Sequence, residues 1–511
     1  TKRVPLMKNS ISGATLPYWV SRMQTLVERL REIYQSSIPF GQGLVDSSPD
    51  KAVESTILYR LTKYWSEPGD FAKLHNECSQ TVLDLDFSLH DFQVGHDPDL
   101  EMYMNAVRKD LYWAQYHFRG FYPRKAKFAS SEGETFVSSN GQTSLWDKAH
   151  DPRVWCCTNE AFCDAGLLFY STRFLKLIAM RHYDQLENNR SRNRDLSSNT
   201  IDLLNAYVRY SHSKCEFPDG LPVAMVQRIK RKVNFGEAVF LYRLTHVVTF
   251  VLGGRFGSVE KDASKNRGIE PQPWLNVCIQ LAFSNTVLRP MCLHHYGLNL
   301  DDQWMQKDRV RDVNQTTADF SAASELQSRY VLGKYVPDFL REHILAYTVD
   351  MIYFPSESKD EGRWHFLAKV SSMGCGLTFE YLSMMICPIA RRFDPKATVY
   401  GDDLVISNNA WPIARSVYES LGYQVNEDKT FYESVFRESC GSFYHDDFGY
   451  ILTYKLSRPD NLSEYFINLN KLQIIAMFVE DYRIQGRKPW LSLINEFLTE
   501  VSTAVPLRCR R

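Results

Sequence analysis

The chain carries no excess charge: 60 Lys and Arg residues balance 60 Asp and Glu over 511 residues. That balance excludes a protein that coats nucleic acid by bulk charge, so any polyanion must be gripped by local basic patches. Long apolar runs are also missing. The best, Val247–Leu252, is strand-length and far short of the roughly 18 residues of a membrane span. The opening Thr-Lys-Arg-Val-Pro turns polar and has no secretory pattern. Paired Cys-x-x-Cys spacing is lacking among the 11 scattered cysteines, so neither Cys156, Cys157 and Cys163 nor Cys292 with His294 and His295 reads as a zinc site. Free thiols in a soluble, cytoplasmic protein are the expectation. Internal repeats and low-complexity tracts are absent too. What remains is an ordinary globular composition, 44% apolar and 23% charged, long enough for two or three subdomains around a sizeable core.

The first 240 residues read as mainly helical and carry no catalytic signature. Val20, Met23, Leu26, Val27, Leu30 and Ile33 recur at helical spacing. Asp50 is the expected N-cap of a helix running to Trp65, and Asp97-Pro98 opens another through Phe118. Lys125–His150 reads as irregular or hairpin-forming. A long helix is expected from about Asn159 to Arg181, then a solvated loop from His182 to Thr200. The cations Arg228, Lys230, Arg231 and Lys232 form either a solvated helical face or a phosphate-tracking stripe. An apolar strand is expected over His246–Leu252. Lys261, Lys265 and Arg267 then share a short loop that is either ordinary surface or the lining of a triphosphate channel.

The stretch that organises the chain is Thr398-Val-Tyr-Gly-Asp-Asp-Leu404. Apolar residues on both sides and a glycine at the turn predict a β-hairpin whose tip lifts Asp402 and Asp403 to a sheet rim. Adjacent carboxylates repel unless cations sit between them, which points to a divalent metal. Gly-Asp-Asp alone turns up by chance in about one chain of this length in ten, so its context decides. Asp319 falls where a β-prone run gives way to the small residues Ser321–Ser324, at what looks like a strand end before a helix. An N-cap role is its plain alternative. Ser372-Met-Gly374-Cys-Gly376 is a glycine loop entering a helix, and such glycines let backbone approach a ligand. An ordinary glycine turn is the plainer reading. Lys429 follows the Asp pair, placed to protonate a departing pyrophosphate, although most lysines are surface solubilisers. Phe436–Gly441 leads to a hairpin turning near Asp446–Gly449, and two helices are expected between Asn461 and Pro506, ahead of Arg508, Arg510 and Arg511.

Asp319-Phe-Ser-Ala-Ala-Ser324, Ser372–Glu380, Tyr400-Gly-Asp-Asp403, Lys429-Thr-Phe431 and Phe436-Arg-Glu-Ser-Cys-Gly441, in this order, resemble the RNA-dependent RNA polymerase (replicase catalytic subunit) of positive-strand RNA bacteriophages of the coliphage type. The resemblance is specific from about Lys261 to Arg458. It implies an α+β right-hand fold of fingers, palm and thumb, with an antiparallel palm sheet flanked by helices. The implied division is an N-terminal and fingers region to 240, fingers with the basic loop over 241–300, palm over 301–440, and hairpin with helical thumb over 441–511. Asp319, Asp402 and Asp403 would hold two Mg²⁺ ions, with Mn²⁺ as a substitute. Lys429 would be the general acid. Lys261, Lys265 and Arg267 would guide the incoming NTP, with Ser324, Glu325 and Thr378 in the nucleotide site. Ser372, Gly374, Gly376 and Arg437 would contact RNA, the first three around the templating base, and the 441–455 hairpin would support the product strand. Cys375 and Glu325 depart from the family, which carries Asn and Asp there, near the ribose. The implied partners are single-stranded RNA template and product, NTPs, host translation elongation factors Tu and Ts, and a ribosomal RNA-binding protein, all in the host bacterial cytoplasm and none of them a membrane. A reverse transcriptase shares the Tyr-x-Asp-Asp hairpin, but the glycine loop and Arg-Glu-Ser-Cys-Gly argue against it. A non-catalytic RNA-binding relic would have no need to keep three clustered anions.

Overall fold

The structure is a computed structural model that describes residues 10–11, 14–65, 71–118, 120–137, 144–190, 233–262, 264–355, 362–481 and 488–504. The basic run 228–232 and the three C-terminal arginines lie outside these residues. The fold is α+β: small, mostly antiparallel sheets set among packed helices.

The largest core is organised around the helix Thr378–Phe393, which is buried along nearly its whole length (Tyr381, Leu382, Met384, Met385, Ile386, Ile389). Against it pack the helices Pro98–Ala114, Arg289–Tyr296 and Trp411–Ser420 and the sheet that carries the carboxylates. Asp97 caps the first of these by accepting the Asp99 N–H at 2.9 Å, with Pro98 at the first helical position, as read from the sequence. The single helix expected over Asn159–Arg181 is two, Asn159–Ser171 and Arg173–Arg190, separated at extended Thr172. Part of the expected loop after His182 is therefore helix. The strand expected over His246–Leu252 is displaced as well. An Asn234–Glu237 capping box starts a helix that runs through Val247, leaving Thr249–Phe250 to pair in parallel with Cys156–Cys157.

A second core joins the two ends of the described chain. The helix Leu16–Gln35 presents Trp19, Met23, Val27 and Leu30 inward, and Pro49–Thr62 presents Val53, Ile57 and Leu61. Pro49 takes the first helical position with Ser48 at the N-cap, so Asp50 falls in the first turn instead of capping it. The C-terminal helices Leu462–Asp481 and Pro489–Ala504 close over these through Tyr465, Leu472, Trp490 and Ile494. Arg22 pairs with Glu500, and the Trp490 indole donates to Glu54 at 3.1 Å. Residues 16–65 therefore pack with 431–501, and not with the remainder of the first 240. Truncating a fully buried tryptophan such as Trp65 or Trp490 would cost about 3–5 kcal/mol.

A third, smaller core lies under the helix Phe71–His90. Val82 and Leu83 pack with Phe256, Ile352, Phe354 and Leu367. Lys261 and Lys265 belong to an antiparallel hairpin here, Gly257–Asp262 with Lys265–Ile269, whose register shifts between Glu260 and Asp262, where a loop was expected. All nine described cysteines are free.

Candidate active site

A three-stranded antiparallel sheet builds the site. Thr398–Tyr400 pairs with Asp403–Ser407, which pairs in turn with Gln315–Ala318. Val399, Leu404, Val405 and Ile406 are buried, so burial fixes the register and with it which residues reach the rim. Tyr400 opposite Asp403 leaves Gly401-Asp402 as a two-residue turn. Gly401 sits at φ +65°, and a Cβ there would meet the Phe379 ring at 2.7 Å. Its N–H donates to Ser383 Oγ at 2.9 Å, which pins the turn to the central helix. Leu404 faces Ala318, and the same register extended one step sets Asp319 opposite Asp403. The three carboxylates thus gather at one end of one sheet.

Asp319 is not a helix cap. The next helix begins at Arg329 with Ser328 at its N-cap, and the residues between form a strand pair and a turn. Ala322 sits in that turn at φ +50°, a strained setting for a residue with a Cβ. Asp319 Oδ2 accepts from Asn426 Nδ2 at 2.7 Å and from Lys429 Nζ at 3.3 Å. Burial holds the Asp402 carboxyl above the usual range, and the charge of Asp319 adds to this. Asp403 is pushed up further, by burial first and then by Glu438, Asp402 and Asp319. Burial would pull Lys429 down, but Asp319, Glu438 and Asp403 outweigh it and hold the ammonium above its ordinary value. Clustered, buried carboxylates that offer only oxygen donors fit hard divalent cations.

Glu438 was missed in the sequence. It lies on the strand Phe436–Ser439, where its backbone N–H donates to Thr317 Oγ1 at 3.2 Å and Oε1 accepts the Gly441 N–H at 2.9 Å. Burial raises its carboxyl, and Lys429 opposes the rise. Beside it Cys440, at φ +50°, donates its thiol to Asp403 Oδ2 at 3.4 Å. Only the fold brings the strand carrying Glu438 beside Thr317.

Cations face the carboxylates from two elements. Partial burial and the nearby Arg267, Lys429 and Lys63 hold Lys261 below its ordinary value, and Arg267 acts on Asp402. Lys265 sits at the exposed turn of that hairpin. Lys63 also feels Lys429, Arg60 acts on Glu438, and Lys455 Nζ lies 4.2 Å from the Tyr64 ring. Arg60, Lys63 and Tyr64 come from the N-terminal end of the chain, where no sequence signal set them apart from surface residues.

Several expected ligand contacts are spent internally. Arg437 is fully buried: Nε donates to the Val310 carbonyl at 2.7 Å, and the guanidinium also bonds the Ser434 carbonyl and pairs with Asp446. The expected RNA contact at Arg437 is corrected to a structural brace, because a cation with no exposed surface cannot meet a phosphate. Glu325 pairs with buried Lys369 in place of a free position at the ribose. Thr378 is buried and donates Oγ1 to the Ser372 carbonyl at 2.8 Å. The Ser372 side chain is also buried. Gly374, at φ +116°, lies so close to Glu270 that a Cβ would meet its carbonyl oxygen at 2.4 Å. The Gly376 N–H donates to Gln280 Oε1 at 2.8 Å. These two glycines serve close packing of the protein on itself. Cys375 is buried in the main core, and Ser324 stays half-exposed on the turn after Asp319.

A hairpin tip with two carboxylates, a third at the neighbouring strand end and cations facing them is the arrangement expected of a polymerase palm. Residues 223–476 are similar to the family described as RNA replicase, beta-chain. The RNA-directed RNA polymerase subunit beta of Escherichia virus Qbeta is 30% identical over 249 residues, covering 46% of this chain and 40% of that protein. The corresponding beta chain of Escherichia phage MS2 is 25% identical over 286 residues, 52% and 49% of the two chains. The matched stretches cover less than half the length of these curated relatives. Among solved structures, the RNA-dependent RNA polymerase of bacteriophage phi12 aligns over 96% of this chain and 77% of its own, at 10% identity and a TM-score of 0.47. That of a human picobirnavirus aligns over 50% and 59%, at 13% identity and 0.31. No helix among the described residues is long and apolar enough to cross a membrane.

Proposed function

We propose that the chain is the catalytic subunit of an RNA-directed RNA polymerase that extends an RNA 3′-end from NTPs on a single-stranded RNA template, in replication of a viral genome. The observation that carries the reading is the convergence of Asp319, Asp402 and Asp403 at one sheet end, with Lys429 against Asp319. The three carboxylates would hold two Mg²⁺ ions, with Mn²⁺ as a substitute. Such ions, when bound, activate the 3′-hydroxyl and stabilise the charge on departing pyrophosphate. Lys261, Arg267 and Lys63 would neutralise the triphosphate as it enters, with Lys265 at the outer mouth. Lys429, kept protonated by the surrounding carboxylates, would deliver a proton to the leaving group. Ser324, on the half-exposed turn, would face the nucleotide. The glycine loop would shape the template path through the position of its backbone. Glu438 would tune the charge of the site by facing Asp403 and Lys429. In this reading 301–440 is the palm, the hairpin Gly257–Ile269 belongs to the fingers, and the helices after Asn461 form the thumb with the N-terminal helices packed on it.

The curated relatives are named as beta subunits or chains, which supports an assembly with other proteins. We extend this to host translation elongation factors Tu and Ts and a ribosomal RNA-binding protein, in the host bacterial cytoplasm. The test is Mg²⁺-dependent incorporation of labelled NTPs on single-stranded RNA, with and without bacterial lysate, wild type beside Asp402→Asn. Asn keeps the volume but removes a charged oxygen donor, so synthesis should fall at least about 10²-fold with the fold intact. Undiminished synthesis in the variant would overturn the metal assignment, and RNA binding without synthesis in any condition would overturn catalysis. Lysate dependence would mark the need for host subunits.

A further inference from the structure

A second group of metal-ligating side chains lies apart from the carboxylates, between the helix Phe71–His90 and the strand Arg363–Phe366. Asp86, His90 and His365 each direct one ligand atom into a common space, all within 4.8 Å of one another. Asp86 and His90 stand four residues apart on one helix face, and His365 comes from the strand opposite. The two Asp86 oxygens share the Ala368 N–H, which lies 3.1 Å from Oδ1 and 3.3 Å from Oδ2. Oδ1 accepts the backbone N–H groups of Ala368 and Lys369, both at 3.1 Å. Oδ2 lies 2.7 Å from His365 Nε2 and 3.4 Å from His90 Nε2, so both imidazoles aim the same nitrogen at one oxygen. Asp86 is 1% exposed, and its bonds to the 368–369 backbone hold it still. The Phe87 ring packs against both imidazoles, with centroids at 6.0 Å and 5.0 Å, which fixes their planes.

We infer that Asp86, His90 and His365 form a three-residue site for a divalent transition metal of the zinc type, clasping the helix Phe71–His90 to the strand Arg363–Phe366. Two imidazole nitrogens and one carboxylate oxygen are the donors that zinc takes in tetrahedral sites, and ligand atoms of a tetrahedral ion lie roughly 3–3.5 Å apart. A small movement of the two rings away from Asp86 Oδ2 would admit the ion. The side of His90 that faces solvent leaves the fourth position to water, since its side chain is 36% exposed. The backbone bonds to Oδ1 are the outer partners that ligating carboxylates commonly have. Bound metal would tie the helix to the segment that carries Lys369, the partner of Glu325, and so brace the approach to the glycine loop.

The test uses the full-length chain, stripped with chelator and dialysed, then titrated with Zn²⁺ and separately with Co²⁺. Wild type should retain one zinc per chain, raise its melting temperature with zinc, and show the visible absorption of four-coordinate cobalt. His90→Ala, at a partly exposed position, should fold with the melting temperature of the stripped wild type. It should lose zinc affinity by more than the roughly 10–100-fold that the loss of an outer partner costs, and lose the cobalt bands. His365→Ala should lose the same signals, and because it also removes a bond to Asp86, His90→Ala is the deciding variant. Zinc and cobalt signals that persist in His90→Ala would place the metal elsewhere and overturn the inference. So would a wild type that retains no zinc and does not respond to it.

Discussion

Lys429 Nζ lies 3.3 Å from Asp319 Oδ2, joining the residue after the edge strand Gln315–Ala318 to the segment that follows the carboxylate hairpin. The pair sets both partners. Asp319 gains a cation before any metal arrives, and Lys429 keeps its proton because the surrounding carboxylates outweigh the cost of its burial. A lysine raised in this way stays charged across the neutral range and loses its proton only above its ordinary value, so it is a donor, not a base, at working pH.

Replacing Lys429 therefore separates charge from proton transfer. Lys429→Arg should keep the contact with Asp319 and the affinity for NTP. It should lower the rate of incorporation about 10²-fold, because a guanidinium does not give up its proton. Lys429→Leu should lose both affinity and rate. Single-turnover incorporation over a range of NTP concentrations distinguishes these outcomes, and an Arg variant at full rate would remove Lys429 from the acid role.

Glu438 faces Asp403, Asp319 and Lys429 from the neighbouring strand. Glu438→Gln keeps the backbone bond to Thr317 and the shape of the side chain but deletes a negative charge. A less anionic site attracts cations less, so the Mg²⁺ concentration for half-maximal synthesis should rise severalfold while the melting temperature holds or increases. An unchanged Mg²⁺ requirement would show that Glu438 does not share the field of the three aspartates.

How much of this was legible in the chain depends on how local each signal was. The hairpin at Gly401-Asp402 was plain, because apolar flanks, a glycine and two carboxylates fall within seven residues. Asp319 could be chosen as a ligand but not placed, since only the pairing of Ala318 with Leu404 shows that it opposes Asp403. Arg437 was misread because a cation inside a motif looks the same whether it meets phosphate or, as here, the carbonyls of Val310 and Ser434. Gly374 and Gly376 were flagged as positions of close approach, correctly, but what approaches is Glu270 and Gln280. Among its described residues the helix Phe71–His90 buries Val82, Leu83, Asp86 and Leu89 on one face, and one of these is an acid held by backbone N–H groups, a role that spacing alone does not show.

The correction at Arg437 has its own consequence. Arg437→Met should leave the salt dependence of RNA binding unchanged, because no phosphate contact is lost. It should destabilise the fold by about 3 kcal/mol or more, since the Val310 and Ser434 carbonyls and Asp446 lose a shared, buried partner. Urea unfolding together with the slope of RNA affinity against salt reads both effects. A shallower slope with unchanged stability would restore the RNA contact.

Glu270 makes a prediction about pH. It is buried beneath the glycine loop, its N–H bonded to the Met373 carbonyl at 2.7 Å, with the Lys369–Glu325 pair nearby. Burial pushes its carboxyl up to about 7, against the opposing pull of Lys369. In the unfolded chain the same group titrates near 4.3. Between those two values the folded protein holds a proton that the unfolded chain has released, so stability declines as pH rises through this window and is lowest, for this group, above about 7. The span corresponds to roughly 4 kcal/mol. Glu270→Gln removes the titration while keeping the volume, so its stability should no longer fall between about pH 4.5 and 7, and above pH 7 it should exceed the wild type. Lys369 keeps Glu325 as its partner in this variant, which guards against a stranded buried cation. Urea midpoints at pH 5, 6, 7 and 8 give the comparison. Parallel curves for variant and wild type would mean that Glu270 is ionised throughout this range and that Lys369 sets its charge.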